Sequence, residues 1–367
     1  MGHTLGLMAY DTGNPELDAT IQELIGAAAD NPNADLIQEI ITTGLKLHRD
    51  GAPRGDLKLI NTALKEMRYS MLVFSRHTEP KVTMYGSARL SEGDPNYELA
   101  ARFAAAMAKR EWGVITGAGP GIMEAGNRGA GMQNSYGVNI RLPFEASANG
   151  YLDPERVVNF KYFFTRKLGF VKESHAFTLF PGGFGTLDET FELLTLIQTG
   201  KSDLHPIVLM EAEGTGYWQP MIDFFQEVLI PKGMISHHDM NLFAVIADPD
   251  EAADHICSFY TNYHSQRYVN GRLVLRLEQA PDAETLAAIN EEFADIVADG
   301  GIEVIAPTEQ EVRDEDAVHL DRIALWFDRR NFGRLRVLID RLNAIVGPKG
   351  IVHPPSPFDV EKADRSW

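Results

Sequence analysis

A single cysteine, Cys257, stands in a chain of 367 residues. No intramolecular disulfide can form, and so sparing a use of thiols fits a reducing cytoplasm. Cys257 falls on a periodic segment, Pro249 to His264, that Asp248 can cap; a small buried hydrophobe is its expected role. Positive charge is scarce too. Lys and Arg number 34 against 52 Asp and Glu, a formal net charge of −18. A protein that grips a nucleic-acid polymer needs a basic footprint, so that class is disfavoured. Small anionic ligands remain open, because a glycine loop and a few arginines act locally. No apolar run is long enough to span a bilayer. Met1-Gly2-His3-Thr4-Leu5 lacks the basic start of a secretion signal, and no internal repeat or low-complexity tract is visible. What the chain does have is 44% hydrophobic residues, enough for a sizeable core in two domains or in one with additions.

The rest is organised around Pro181-Gly182-Gly183-Phe184-Gly185-Thr186-Leu187-Asp188-Glu189. This stretch follows an apolar run, Ala176 to Phe180, that reads as a buried strand. It opens a periodic segment, Leu187 to Ile197, that reads as a helix. A strand, a tight glycine turn and a helix start present bare backbone N–H groups to an anion. Gly182, Gly183 and Gly185 suit left-handed or close-approach backbone. Thr186 can cap the helix or give its hydroxyl to a phosphate. Glu189 sits one turn in, facing whatever the loop holds.

Around it the pattern is α/β. Residues 14 to 75 read as three helices, with Leu17, Ile21, Leu24 and Ile25, then Leu36, Ile40, Ile41 and Leu45, then Leu57, Ile60, Leu64, Met67 and Met71 turned inward. Nothing in them looks catalytic; a helical cover or an oligomer contact is expected. From Lys81 strands and helices alternate. Strands are expected at Val82–Tyr85, Gly113–Thr116, Tyr136–Leu142, Val157–Phe160, Ala176–Phe180, Pro206–Met210 and Phe243–Ile246, with helices between them and a last helix over Pro249–His264. Repeated strand-helix units imply a doubly wound, Rossmann-like parallel sheet whose ligands bind beyond the carboxyl ends of the strands. Gly86-Ser87, Gly117 to Gly121 and Pro181 to Glu189 all fall at those ends. After about Gln266, a strand at Arg272–Leu277, a helix over Asp282–Ala298, strands at Ile302–Ile305 and Arg322–Phe327 and a helix over Asn331–Ile345 suggest a small ferredoxin-like α+β unit. The expected domains are therefore 1–77 (helical extension), 78–264 (nucleotide-binding domain), 265–346 (small α+β domain) and 347–367 (extended tail).

Two tempting motifs dissolve on inspection. Gly117-Ala118-Gly119-Pro120-Gly121 places its last glycine one residue too early for a dinucleotide fingerprint, and no acidic residue follows at the ribose position. His237-His238-Asp239 lacks the spacing of metal ligands.

The Pro181–Glu189 string resembles the PGGxGTxxE signature of the LOG family, the cytokinin-activating phosphoribohydrolases once labelled lysine decarboxylases, and every fixed position matches. Thr116 to Glu124 resembles that family's GGGxxGLMG loop, with Thr116, Ala118 and Glu124 where glycines stand. Thr165-Arg166-Lys167 resembles its Arg-Lys pair, and Arg141 to Glu145 a segment of its larger members. The resemblance implies hydrolysis of a nucleoside 5′-monophosphate to free base and ribose 5-phosphate, as larger relatives acting on pyrimidine and purine nucleotides do. It gives Glu189 the catalytic role, with Arg166 as catalytic or substrate-orienting partner. A carboxylate beneath the ribose can stabilise oxocarbenium charge, grip hydroxyls or position water. Gly86, Ser87, Gly117, Gly119, Gly121, Gly182, Gly183, Gly185 and Thr186 would hold the phosphate and sugar, and Lys167 would assist binding. Arg141 would meet phosphate or base, or form a structural salt bridge. Neither a metal nor a redox cofactor is implied, and the family's habit implies a homodimer or higher homo-oligomer. The rival readings are a non-catalytic nucleotide sensor of the same fold and an amino-acid decarboxylase, which would need a pyridoxal-phosphate lysine.

Overall fold

Every residue of Lys81–Tyr85 (β1), Gly113–Thr116 (β2) and Ala176–Leu179 (β5) is buried. Such runs, apolar on both faces, are what a parallel sheet covered on both sides demands. The computed structural model describes residues 10–27, 33–140, 148–313 and 315–347. By its contacts the chain divides into residues 1–65 and 66–367.

In the first unit Pro15–Ala27 (α1) packs on Ala34–Arg49 (α2), and Arg54–Phe74 (α3) begins. The faces expected to turn inward are largely open. Ile21 is buried, but Leu17, Leu24, Leu36, Ile40, Leu57, Ile60, Leu64 and Met71 are exposed. The periodicity located the helices; among the described residues most of the stripe they carry stays open, while Met67 packs against the main core.

The second unit holds both sheets. Its elements continue with Pro95–Lys109 (α4), Ile122–Ala130 (α5), Ser135–Ile140 (β3), Val157–Phe160 (β4), Phe163–Glu173 (α6), Phe184–Gln198 (α7), Ile207–Leu209 (β6), Gln219–Phe224 (α8), Ala244–Val245 (β7) and Pro249–Ser258 (α9). Then come Tyr263–Val269 (β8), Arg272–Leu277 (β9), Ala283–Glu292 (α10), Val297–Val304 (β10), Glu309–Arg313 (α11), Asp321–Phe327 (β11) and Phe332–Asn343 (α12). Aspartates start several helices, Asp248 among them as expected: the Asp94 carboxylate accepts from the Asn96 amide, and Asp248 from Asp250 and Glu251, each with proline at the first helical position.

β1 to β7 form one sheet in the order β4-β3-β2-β1-β5-β6-β7, parallel throughout. From β1 the chain winds outward one way through β2, β3 and β4, then returns to β5 and winds the other way. The strand order therefore switches between β1 and β5, and a crevice opens beyond their carboxyl ends, where doubly wound sheets bind ligands. The turns that leave β1 and β5 are Gly86-Ser87 and the Pro181–Glu189 string.

The second sheet, β10-β11-β9-β8, is antiparallel. Its inner face (Leu273, Leu275, Leu277, Ile323, Leu325) packs under Ile289 and Phe293 and under Leu335, Leu338 and Ile339 of α12. Two expectations are corrected here. The helix expected over Pro249–His264 stops at Ser258, and β8 begins at Tyr263. The helix expected over Asp282–Ala298 stops at Glu292, and Val297 opens β10. β8 escaped notice because its buried positions include Ser265, Gln266 and Arg267. They are stabilised by partners rather than by apolar contact; Arg267 pairs with Asp316 at 2.8 Å. β8 takes the edge beside β9 that the final strand of a βαββαβ unit would occupy, arriving from ahead of the unit instead of after it. Of the expected tail 347–367, all but Gly347 lies outside the described residues. Among those residues no helix is long and apolar enough to cross a membrane.

Candidate active site

The loops at the switch point are laced by their backbones. The Phe180 amide donates to Tyr85 O (2.9 Å), Ser87 N to Pro181 O (3.0 Å) and Ile122 N to Ser87 O (3.0 Å). Ser87 thus spends both backbone groups on the frame, and its Oγ accepts from Arg89 N at 3.1 Å. The Tyr217 hydroxyl braces the far side by donating to Gly182 O at 2.7 Å. Between these loops lies a cavity of about 950 Å³, lined among others by Gly86, Ser87, Gly117, Gly119, Arg166, Gly182, Gly183, Gly185, Thr186 and Glu189.

Nearly the whole predicted set therefore converges, though not always in the expected way. The helix starts earlier than its apolar period: α7 begins at Phe184, with Gly183 as N-cap and no side chain capping it. The first-turn amides of Phe184, Gly185 and Thr186 are thus left to the cavity, and the helix dipole favours an anion there. Thr186 sits inside the first turn rather than at the cap. None of Gly182, Gly183 and Gly185 has positive φ. Gly182 is needed for closeness instead, since a Cβ there would fall 2.1 Å from Thr186 Oγ1. The left-handed glycine is Gly121, at φ 72°, ψ −132°, which caps α5 and supports the cavity from behind.

The loop after β2 is held by groups the motif did not reveal. Thr116 Oγ1 accepts from Ala118 N (3.0 Å) and donates to Asn127 Oδ1 (2.8 Å). Asn149 Nδ2 donates to Asn127 Oδ1 and to Gly119 O. Ala118 stands at φ 63°, a left-handed value at a position where the motif has glycine. A side-chain hydroxyl and an amide thus do what extra glycines would do, fixing the loop by hydrogen bonds.

Arg166 projects from α6 beneath this loop. Its guanidinium lies 5.2 Å from the Phe170 ring centroid, and a Cβ on Gly117 would come within 2.9 Å of it. The next residue turns elsewhere. Lys167 Nζ pairs with Asp188 at 2.9 Å and Glu192 at 2.8 Å, tying the helix of Arg166 to the helix of Glu189. Lys167 therefore cross-links the site and is not among the groups lining the cavity. Arg141 lies outside the described residues.

Glu189 is 7% exposed and makes no hydrogen bond or ion pair among the described residues. Burial pushes its carboxyl up to about 7, against the pull of Lys167 and Arg166; Glu192 and Asp188 add to the rise. A carboxyl so raised, in a cleft with a charged partner, makes Glu189 a candidate functional residue.

One charged lining residue was not among the expected site residues. Arg89 is exposed on the cavity rim, and among the described residues its guanidinium has neither an ion pair nor a hydrogen bond. Its place two residues past Ser87, at the carboxyl end of β1, was the available signal.

Residues 118–256 match the family described as "Possible lysine decarboxylase". The chain is 38% identical over 71 residues to the cytokinin riboside 5′-monophosphate phosphoribohydrolase LOG1 of Arabidopsis thaliana, which covers 19% of this chain and 32% of that protein. It is 27% identical over 162 residues to the pyrimidine/purine nucleotide 5′-monophosphate nucleosidase of Escherichia coli (strain K12), which covers 40% of this chain and 35% of that protein. The chain spans about a third of the length of these curated relatives. Among solved structures it is similar to the molybdenum cofactor binding protein of Rippkaea orientalis at 18% identity and TM-score 0.33, over 49% of this chain and 96% of that one.

Proposed function

We propose that the chain is a LOG-type enzyme, on the match over residues 118–256 and the likeness to LOG1, and that it hydrolyses the N-glycosidic bond of a nucleoside 5′-monophosphate, giving the free base and ribose 5-phosphate. The observation that carries this reading is the Glu189 carboxyl. It is buried, unpaired among the described residues and raised to about 7, in one cavity with Arg166 and the uncapped start of α7. In the proposed reaction the phosphate lies against the Phe184, Gly185 and Thr186 amides. The C1′–N bond breaks with its electron pair on the base, and positive charge grows on C1′ and the ring oxygen. Ionised Glu189 faces that charge and takes a proton from the water that adds to C1′. The departing base gains a proton, so one water is consumed. Arg166, which lines the same cavity, orients the substrate.

A decarboxylase reading would require an amine for the pyridoxal Schiff base. No lysine lines the cavity among the described residues, and Lys167 is held charged by two carboxylates. The direct test is to incubate the protein with AMP, GMP, CMP and UMP and follow base release with ribose 5-phosphate. Release from at least one substrate is expected. Tight nucleotide binding without release would instead make the protein a sensor.

Arg89 supplies a second check. Arg89→Ala is expected to raise KM for the monophosphate about tenfold, the scale of one charge-assisted hydrogen bond, with little change in kcat. Inhibition by the unphosphorylated nucleoside should not change. An equal loss for nucleoside and nucleotide would remove Arg89 from the phosphate's surroundings.

A further inference from the structure

Tyr85 is the last residue of β1, in register with Leu179 of β5, at the switch between the two halves of the sheet. Its side chain is 5% exposed and it lines the cavity beside Glu189 and Arg166. Its ring stands edge-on to Phe170 at 5.0 Å, and Arg166 lies 5.2 Å from that same ring. Yet the Tyr85 hydroxyl is closed off from solvent and has no hydrogen-bond partner among the described residues. A buried donor left unmade costs about 1–3 kcal/mol, and such exceptions call for an explanation. Phenylalanine would fill the same space without that cost.

The same cavity contains an acceptor in the matching condition, the Glu189 carboxyl. A donor without an acceptor and an acceptor without a donor thus line one pocket. Burial is the largest influence on the Tyr85 hydroxyl and raises it well above an ordinary phenol; the Glu189 charge is the next largest, ahead of Arg166 and Glu192. The hydroxyl therefore keeps its proton and can act only as donor or neutral acceptor. The groups that face Glu189 are Arg166 and Lys167 from α6, Asp188 and Glu192 from its own helix, and Tyr85 from β1. Lys167 is already committed to Asp188 and Glu192.

Resting on the reading of Glu189 as the catalytic carboxylate, we propose that Tyr85 is its positioning residue: the phenol O–H donates to Glu189 when that carboxylate is ionised, and holds it under the sugar. When the carboxyl is protonated it carries no charge and the bond is not required. When it ionises against bound substrate, with water expelled, a buried charge needs a donor, and the phenol is a neutral donor lining the same pocket. A hydrogen bond to a charged group is worth about one to two pH units in that group's titration.

The test compares wild type with Tyr85→Phe in the full chain. Glutamate side-chain carboxyls are labelled with ¹³C, and Glu189 is identified by the signal absent from Glu189→Gln. With a C-nucleotide analogue of AMP bound, which has no N-glycosidic bond to cleave, Glu189 is expected to titrate about one pH unit higher in Tyr85→Phe. In kinetics, the acid limb of kcat should move up by the same amount while KM stays within about twofold. Tm should be unchanged or higher, since an unpaired hydroxyl is removed. An unmoved Glu189 titration overturns the proposal, whether or not the protein turns over nucleotide. A moved titration in a wild type that releases no base would uphold the Tyr85–Glu189 bond and sink the hydrolase reading alone. A merely structural Tyr85 would lower Tm and leave the titration in place.

Discussion

Glu189→Gln is expected to cut turnover of a nucleoside monophosphate by about 10²–10⁴-fold, the usual contribution of a positioned acid or base, and at pH 8 to make the protein more stable. Both effects come from one arrangement. Glutamine keeps the shape of the side chain but carries no charge to face the developing oxocarbenium ion. The stability change follows from the titration. Burial, with Glu192 and Asp188, raises the carboxyl from 4.5 to about 7 in the folded chain, despite Lys167 and Arg166. A carboxyl raised by folding stabilises the native state below the unfolded value. That contribution is lost as pH rises through the folded value. Between about pH 4.5 and 7 the wild type therefore loses stability that the glutamine variant keeps, on the order of 2–3 kcal/mol at the top of the window. Thermal unfolding at pH 4 and pH 8 measures it: the Tm of the variant should exceed that of wild type by several degrees at pH 8, with a much smaller gap at pH 4. In wild type, kcat/KM should climb about tenfold per pH unit below 7 and level off above it. A variant with unchanged turnover, or a Tm gap equal at both pH values, would contradict the assignment.

How far the sequence could be read depended on what stabilises each element. β1, β2 and β5 are buried on both faces, and only continuous apolar runs can serve there, so Val82–Tyr85, Gly113–Thr116 and Ala176–Phe180 were plain. The turns that follow them were plain for a related reason: bare backbone at a strand end calls for glycine. β8 was opaque because Ser265, Gln266 and Arg267 are buried by virtue of distant partners such as Asp316, and hydropathy carries no trace of a partner. It did leave one local signal. Asn270 and Gly271, at φ 50° and 86°, form the Asn-Gly turn that favours a two-residue hairpin. The site divides in the same way. Glu189 and Arg166 were legible through their motifs. Lys167 sat in the same motif, but its commitment to Asp188 and Glu192 depends on how two helices meet. Thr116, Asn127 and Asn149, which brace the loop after β2, gather around that loop only in the folded chain. Tyr85 was hidden because a tyrosine ending a buried strand looks like any other core aromatic until its hydroxyl is found without a partner.

Gly121→Ala is expected to disable the site and weaken the fold together. Gly121 stands at φ 72°, ψ −132°, close to a region that only glycine occupies at ease, and an alanine there would carry about 1–3 kcal/mol of backbone strain. Space is the harder obstacle. Its Cβ would fall 2.2 Å from Ser87 O and 2.8 Å from the Ala88 Cα and carbonyl carbon. All are backbone atoms, so no rotamer change relieves the clash. The β1 turn would have to move away, and Ser87 is the residue that accepts from Ile122 N and donates to Pro181 O. Displacing it unlaces all three loops. A loss of roughly 3 kcal/mol or more is expected, the range of severe point mutations, with nucleotide affinity down at least about tenfold. Gly185→Ala makes the counterpart. Gly185 lies in the first turn of α7 with nothing within 4 Å of its would-be Cβ, so alanine should leave Tm unchanged or raise it through helix propensity, by up to about 1 kcal/mol. The added methyl, however, would stand in the cavity where the phosphate approaches the helix amides. Tm from thermal melts and Kd for AMP from calorimetry should therefore separate the two: both fall in Gly121→Ala, whereas Gly185→Ala loses affinity alone. If Gly185→Ala bound AMP as tightly as wild type, the phosphate would have to lie somewhere other than the start of α7.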